Sequence, residues 1–162
     1  MKRYSSAAGL ALAVVAVLGL AGPAAAGEQV PFKGSLGGDV THTPVDARTD
    51  FVLVEATGTA THLGRFALTV PHRVDRSTVP PSAAGFYHFT AANGDTLSAS
   101  FTGQAAPTPT PGILAIVETA TITGGTGRFA AATGAFICER LFNTITGTTT
   151  GSFSGTISSP GP

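Results

Sequence analysis

The sequence predicts an all-β protein: a small antiparallel β-barrel of about eight strands. Three observations carry that prediction. Beyond residue 26 no segment sustains the 3.6-residue apolar period of a helix, and short runs rich in Val, Thr, Phe and Ile recur instead. Gly, Pro and Asn punctuate these runs at short intervals, as they do in sandwiches and barrels. Several of the punctuations read as tight reversals, so strands adjacent in sequence are expected to pair. Eight strands close a ring just wide enough to hold side chains or one small ligand.

Taken in order, the chain opens with an export signal. Lys2 and Arg3 precede an apolar run at residues 7–20, and Ala24-Ala25-Ala26 supplies a small-residue cleavage site. The run is shorter than the roughly 20 residues a transmembrane helix needs, and it ends at Gly22-Pro23. Residues 1–26 are therefore expected to be a secretory signal peptide, leaving residues 27–162 as a single secreted, extracellular domain. Strands are expected at 30–35, 51–61, 65–73, 85–91, 96–102, 113–123, 135–144 and 148–158. His62-Leu63-Gly64, Asn93-Gly94 and Thr146-Gly147 mark reversals between them. Val79-Pro80-Pro81 breaks the pattern, and the prolines of residues 105–112 lack amide donors, so that segment reads as an exposed loop that cannot pair.

Composition narrows the partners. Without Lys2 and Arg3 the nine acidic residues outnumber the basic ones by two, and no basic stripe remains to neutralise phosphates. Nucleic acid and anionic membrane surfaces are thus not expected partners. Cys138 stands alone, which excludes an internal disulfide despite the oxidising destination. Packing, with help from an oligomer, must supply the stability.

One stretch joins two β-rich runs: Gly124-Gly125-Thr126-Gly127-Arg128-Phe129, followed by Gly134. Its glycines permit positive φ, so the chain can turn sharply between extended segments. The stretch resembles the Gly-Gly-Thr-Gly-x-Phe/Tyr-x4-Gly turn of allene oxide cyclases and plant dirigent proteins. That resemblance implies an antiparallel barrel with a lumen for a hydrophobic ligand, and a trimer. In those families the turn is structural, so no catalytic residue carries over to this chain. Residues 125–130 also fit the dinucleotide fingerprint G-x-G-x-x-A, which works only where a helix begins at the glycines. Gly134 would interrupt such a helix after one turn, and no acidic residue follows Glu139 to hold a ribose. No nucleotide or other cofactor is expected.

The candidate site follows from alternation. Along residues 113–123 one face carries Leu114, Ile116, Glu118, Ala120 and Ile122, while the other carries Ile113, Ala115, Val117, Thr119 and Thr121. Both faces are largely apolar, and the outer one needs a cover, most simply a partner subunit. Glu118 shares its face with four apolar residues. If the glycine turn is symmetrical about Phe129, Glu118 lies opposite Arg140, Ile122 opposite Phe136, Ala120 opposite Cys138 and Ile116 opposite Phe142. The pair reads either as a register-setting ion pair or as the polar end of a lumen. Glu55 poses the same question beside Phe51 and Leu53, and Tyr87 offers a phenol. Cys138 reads as a buried thiol in the same strand-like segment. The four histidines, His42, His62, His72 and His88, show none of the spacings that gather metal ligands, so no metal is expected. No G-x-S-x-G elbow is present either.

The function expected from these residues and the resemblance is binding of a small apolar molecule in the lumen. The alternatives are a cyclase or isomerase that works without metal or nucleotide, and a structural or surface protein with a filled barrel.

Overall fold

The computed structural model describes residues 27–158 and Pro160. The signal-peptide assignment falls on residues 1–26, outside the described part. Eight strands follow one another: β1 (Gln29–Pro44), β2 (Thr49–Ala60), β3 (Gly64–Asp75), β4 (Ser82–Ala91), β5 (Thr96–Pro107), β6 (Ile113–Gly125), β7 (Gly134–Asn143) and β8 (Thr148–Ser158). Each pairs antiparallel with the next, and β8 pairs back onto β1. The result is a closed up-and-down barrel with no free sheet edge, as the sequence pattern predicts. Among the described residues a single 3-10 turn, Gly127–Phe129, is the sole helical element.

Inward positions alternate with outward ones, and the inward set differs between the two ends. One end holds Phe32, Phe66, Phe89, Phe136 and Phe153, all at most 4% exposed. Their rings lie 5.0–6.3 Å apart in edge-on and tilted contacts, the geometry that aromatic quadrupoles favour. Phe129, from the 3-10 turn, and Leu63, from the β2–β3 turn, are buried beneath them and close that end. Arg128 ties the three loops there. Its guanidinium donates to the His62 carbonyl, lies 3.9 Å from Asp95 Oδ2, and covers the Phe129 ring at 5.1 Å.

The glycine-rich turn folds back as expected but not symmetrically. Ile122 pairs with Gly134, Ala120 with Phe136, Glu118 with Cys138 and Ile116 with Arg140, a shift of two residues from the register inferred from sequence. The cause lies in the last residues of β6. Gly124 and Gly125 stay paired with Ser98 and Leu97 of β5, past a bulge, and Phe129 swings inward to plug the barrel. Gly125 must be glycine for that pairing, because a Cβ would lie 1.9 Å from the Thr96 carbonyl oxygen. A shift of two leaves face parity intact, so Glu118 and Arg140 remain on one side of the sheet.

A second correction concerns residues 105–112. β5 runs through Ala105 and Ala106 to Pro107, which pair with Ile116, Ala115 and Leu114. The proline closes the strand, where its missing amide costs no ladder bond. β1 likewise extends nine residues beyond the expected end at Ser35, to Pro44, across Gly37 and Gly38. Composition alone would end a strand at such a pair. Here the Ala56 side chain and the Glu55 carbonyl pack so closely on Gly38 that a Cβ would collide with both.

Candidate lumen site

Midway along the barrel the packed phenylalanines give way to polar side chains. Glu118 on β6 is fully buried and Arg140 on β7 is 6% exposed. As diagonal neighbours they form a two-pronged pair: Arg140 Nη2 donates to Glu118 Oε1 at 2.7 Å and Nε to Oε2 at 3.1 Å. Tyr87 on β4, 1% exposed, donates its phenolic O–H to Glu118 Oε2. Arg140 Nη1 donates to Thr149 Oγ1 at 3.4 Å, and that hydroxyl donates in turn to the Leu141 carbonyl at 2.9 Å. Every oxygen of the buried carboxylate thus has a donor, which is what allows a charge to stay inside.

The protonation states follow from these contacts. Burial alone would lower the Arg140 pKa, but hydrogen bonding to Glu118 and its negative charge outweigh that and hold the guanidinium above its usual value. Burial, then the Glu118 charge, push the Tyr87 phenol well above the usual range, so it remains a donor. Cys138, directly opposite Glu118 and 0% exposed, is pushed up to about 11, first by burial and then by that carboxylate. It is a structural thiol rather than a reactive one.

Space for these long side chains comes from glycines across the ladder. Gly103 of β5 faces Glu118, Gly151 of β8 faces Arg140, and Gly85 of β4 faces His72. A Cβ at Gly103 would lie 2.6 Å from Glu118 Cγ, and at Gly151 or Gly85 it would lie 2.4 Å from the Cβ of the facing residue. The barrel seats each large polar group beside an absent side chain.

Beyond the pair the lumen opens into a cavity of about 280 Å³ that reaches the mouth opposite the phenylalanine plug. Its wall is largely aliphatic, with Val52, Val74, Leu114 and Ile116 prominent, and the Glu118–Arg140 pair forms its floor. Pro81 and Pro107, from the segments that read as loops, stand at the rim. A pocket of this size, apolar with a few convergent polar groups, is what a compact organic ligand requires.

Glu118, Arg140, Tyr87 and Cys138 are therefore gathered into one cluster at or below the cavity floor. Glu55 is not: it is exposed on the outer face of β2, with the inward positions taken by Asp50, Val52, Val54 and Ala56. Both faces of β2 carry apolar residues, for Phe51 is 41% exposed outside, so alternation alone misassigned the face. Gly124, Gly125, Gly127, Phe129 and Gly134 form the turn; Gly124, Gly127 and Gly134 adopt positive φ. His62 sits in a turn and His88 on the outer wall, whereas His42 and His72 both reach the mouth cavity. Among the described residues no three potential metal ligands converge.

Three further residues belong to the site: His72, Asp50 and Thr149, each at most 6% exposed. The same signal that singles out Glu118 marks the first two. His72 interrupts the inward series Leu68, Val70, Val74, and Asp50 heads the series Val52, Val54, Ala56. Thr149 had no such signal, because β8 carries threonine on both faces.

No family model matches this sequence, and no curated protein matches it. Among solved structures the barrel is similar to two pterocarpan synthase dirigent proteins. PsPTS1 superposes with a TM-score of 0.59 at 11% identity, over 83% of this chain and 97% of that one. GePTS1 gives 0.55 at 13% identity, over 86% and 90%. At these identities the likeness establishes the fold, a closed eight-stranded dirigent-like barrel.

Proposed function

We propose that this protein is an extracellular binding barrel that holds a compact, neutral, mostly apolar molecule in the open half of its lumen. The observation that carries the reading is the cavity of about 280 Å³, walled by aliphatic side chains above a buried, internally neutralised ion pair. Aliphatic walls supply affinity by burial, and the polar floor supplies orientation. Neither charge on that floor is left over for a charged ligand, because Glu118 and Arg140 neutralise each other. The dirigent-like fold supports a lumen as the place of binding. It does not by itself indicate chemistry.

The cyclase or isomerase alternative, as read from the sequence, relies on Glu118 as its acid or base. Glu118, the obvious choice from sequence, has both oxygens engaged by Arg140 and Tyr87, which disfavours proton transfer through it. The filled-barrel alternative describes one half of the lumen only. Self-association is part of the proposal: Val117, Ile137 and Leu141 are each about half exposed on the outer face of β6 and β7, and a second copy is the cover we assign to them.

The test is calorimetric titration of the protein with camphor, a rigid apolar probe, alongside Ile116→Trp. Saturable binding that is lost in the variant, with an unchanged melting temperature, supports the reading. Equal binding by both proteins would place the ligand elsewhere and overturn it.

A further inference from the structure

One polar atom still open to the cavity is an acceptor on the wall away from the ion pair. His72 on β3 is 5% exposed, and its Nδ1 lies 2.9 Å from the Val70 carbonyl oxygen. A carbonyl only accepts, so Nδ1 carries the ring proton, and in the neutral imidazole Nε2 bears a lone pair. Among the described residues Nε2 has no hydrogen-bond partner, and the ring lines the cavity. Asp50 lies diagonally across the β2–β3 ladder and is 6% exposed. Arg76 Nη2 is 3.1 Å from Asp50 Oδ1 as an ion pair, yet no aligned hydrogen bond reaches that buried oxygen. His72 thus presents an unpartnered acceptor to the chamber, whereas Asp50 Oδ1 is sealed from it beside the Arg76 guanidinium.

We propose that His72 is the specificity-determining residue of the lumen, accepting a hydrogen bond from the hydroxyl of a neutral alicyclic or aromatic alcohol. The proposal rests on the lumen-binding reading and sharpens it to a ligand that donates rather than only accepts. A site built around a buried acceptor discriminates against an isostere without the donor, because that acceptor is then left dry and unpaired.

The charge environment keeps the acceptor available. Burial lowers the His72 pKa below the usual histidine value; the Val70 carbonyl opposes the shift and the Arg140 charge reinforces it. The groups facing the ring from its surroundings are His42 on β1, Asp50 on β2, Arg76 beyond β3, Glu118 on β6 and Arg140 on β7, with Phe101 edge-on at 5.6 Å. The two carboxylates are matched by the two guanidiniums, so no excess negative charge draws a proton onto Nε2 near neutral pH.

The experiment compares borneol with camphor, which share a skeleton and differ in carrying a hydroxyl or a ketone, by calorimetry on the full mature domain. Borneol is expected to bind roughly threefold to tenfold more tightly, as one net hydrogen bond implies. In His72→Phe that ratio is expected to fall to about one. Nitrogen-15 NMR of the unmutated protein is expected to show the Nδ1–H tautomer, with an Nε2 resonance that moves on adding borneol and stays still with camphor. Equal affinities, or an Nε2–H tautomer, overturn the inference and leave lumen binding standing. Binding of neither probe overturns both.

Discussion

The two halves of this barrel share eight strands, one hydrogen-bonded ring and one inward-outward alternation, yet one half is solid and the other hollow. In the closed half the inward positions hold Phe32, Phe66, Phe89, Phe136 and Phe153, and their rings meet at the axis. In the open half the equivalent positions hold Val40, Val52, Val74, Ala83 and Ala105, which are too short to meet, and about 280 Å³ remains. The same antiparallel ring runs through both. The difference teaches that in a ring of this size the lumen is decided by side-chain volume, layer by layer. The Glu118–Arg140–Tyr87 layer lies at the boundary, where buried charge is screened from water on one side by aromatic packing.

Truncation at equivalent depths should break the comparison most visibly. Phe136→Ala in the solid half is expected to cost about 3–5 kcal/mol in urea unfolding, because the surrounding rings cannot collapse into the gap. Ile116→Ala in the hollow half is expected to cost only about 1 kcal/mol, since its side chain already borders empty space. Similar costs would mean that the open half is filled in solution.

At the boundary layer, Arg140→Leu should destabilise by about 3 kcal/mol by leaving Glu118 buried and unpaired. The double variant Glu118→Leu/Arg140→Leu should recover most of that loss. A wild-type melting temperature for the single variant would show that water reaches the pair. A smaller effect is expected for Gly103→Ala, about 1–3 kcal/mol, because the new Cβ meets the Glu118 stem. Combining it with Glu118→Ala should relieve the contact with Cγ but not the one with the Val117 carbonyl oxygen, 2.9 Å from the new Cβ, so a double-mutant cycle should show partial recovery.

The mouth contributes a weaker, pH-dependent effect. His72 has a lowered pKa when folded, so the unfolded chain binds its proton first as the pH falls. Stability from this residue is complete above about pH 6.5 and is lost as the pH drops from there toward the lower folded value. Between pH 7 and pH 5 the loss should stay within about 2 kcal/mol, and His72→Phe should flatten that part of the profile. A profile unchanged by the substitution would place His72 in contact with water. Outside the barrel, Ile137→Lys should leave the melting temperature nearly unchanged while shifting light-scattering mass toward the monomer. Persistence of an oligomer would exclude the β6–β7 face as the contact.

Much of this was legible in the residues. Alternation and turn chemistry are local properties, so the strand count, the antiparallel order and the reversals at His62, Gly94 and Gly147 could be read directly. A lone charge in an apolar stripe is also a local signal: it marked Glu118, whereas Asp50 and His72, which interrupt apolar series in the same way, were identified only from the structure. What needed the tertiary structure was everything that depends on partners distant in sequence. The pairing of Gly124 and Gly125 with β5 rather than β7 moved the register by two, turning a face-to-face pair into a diagonal one. Closure of the ring put Asp50 rather than Glu55 on the inward face of β2. The division into a plugged half and an open half is likewise a sum over all eight strands. No single strand carries it, because volume at the barrel axis is filled jointly by residues that the chain keeps more than a hundred positions apart, as with Phe32 and Phe153.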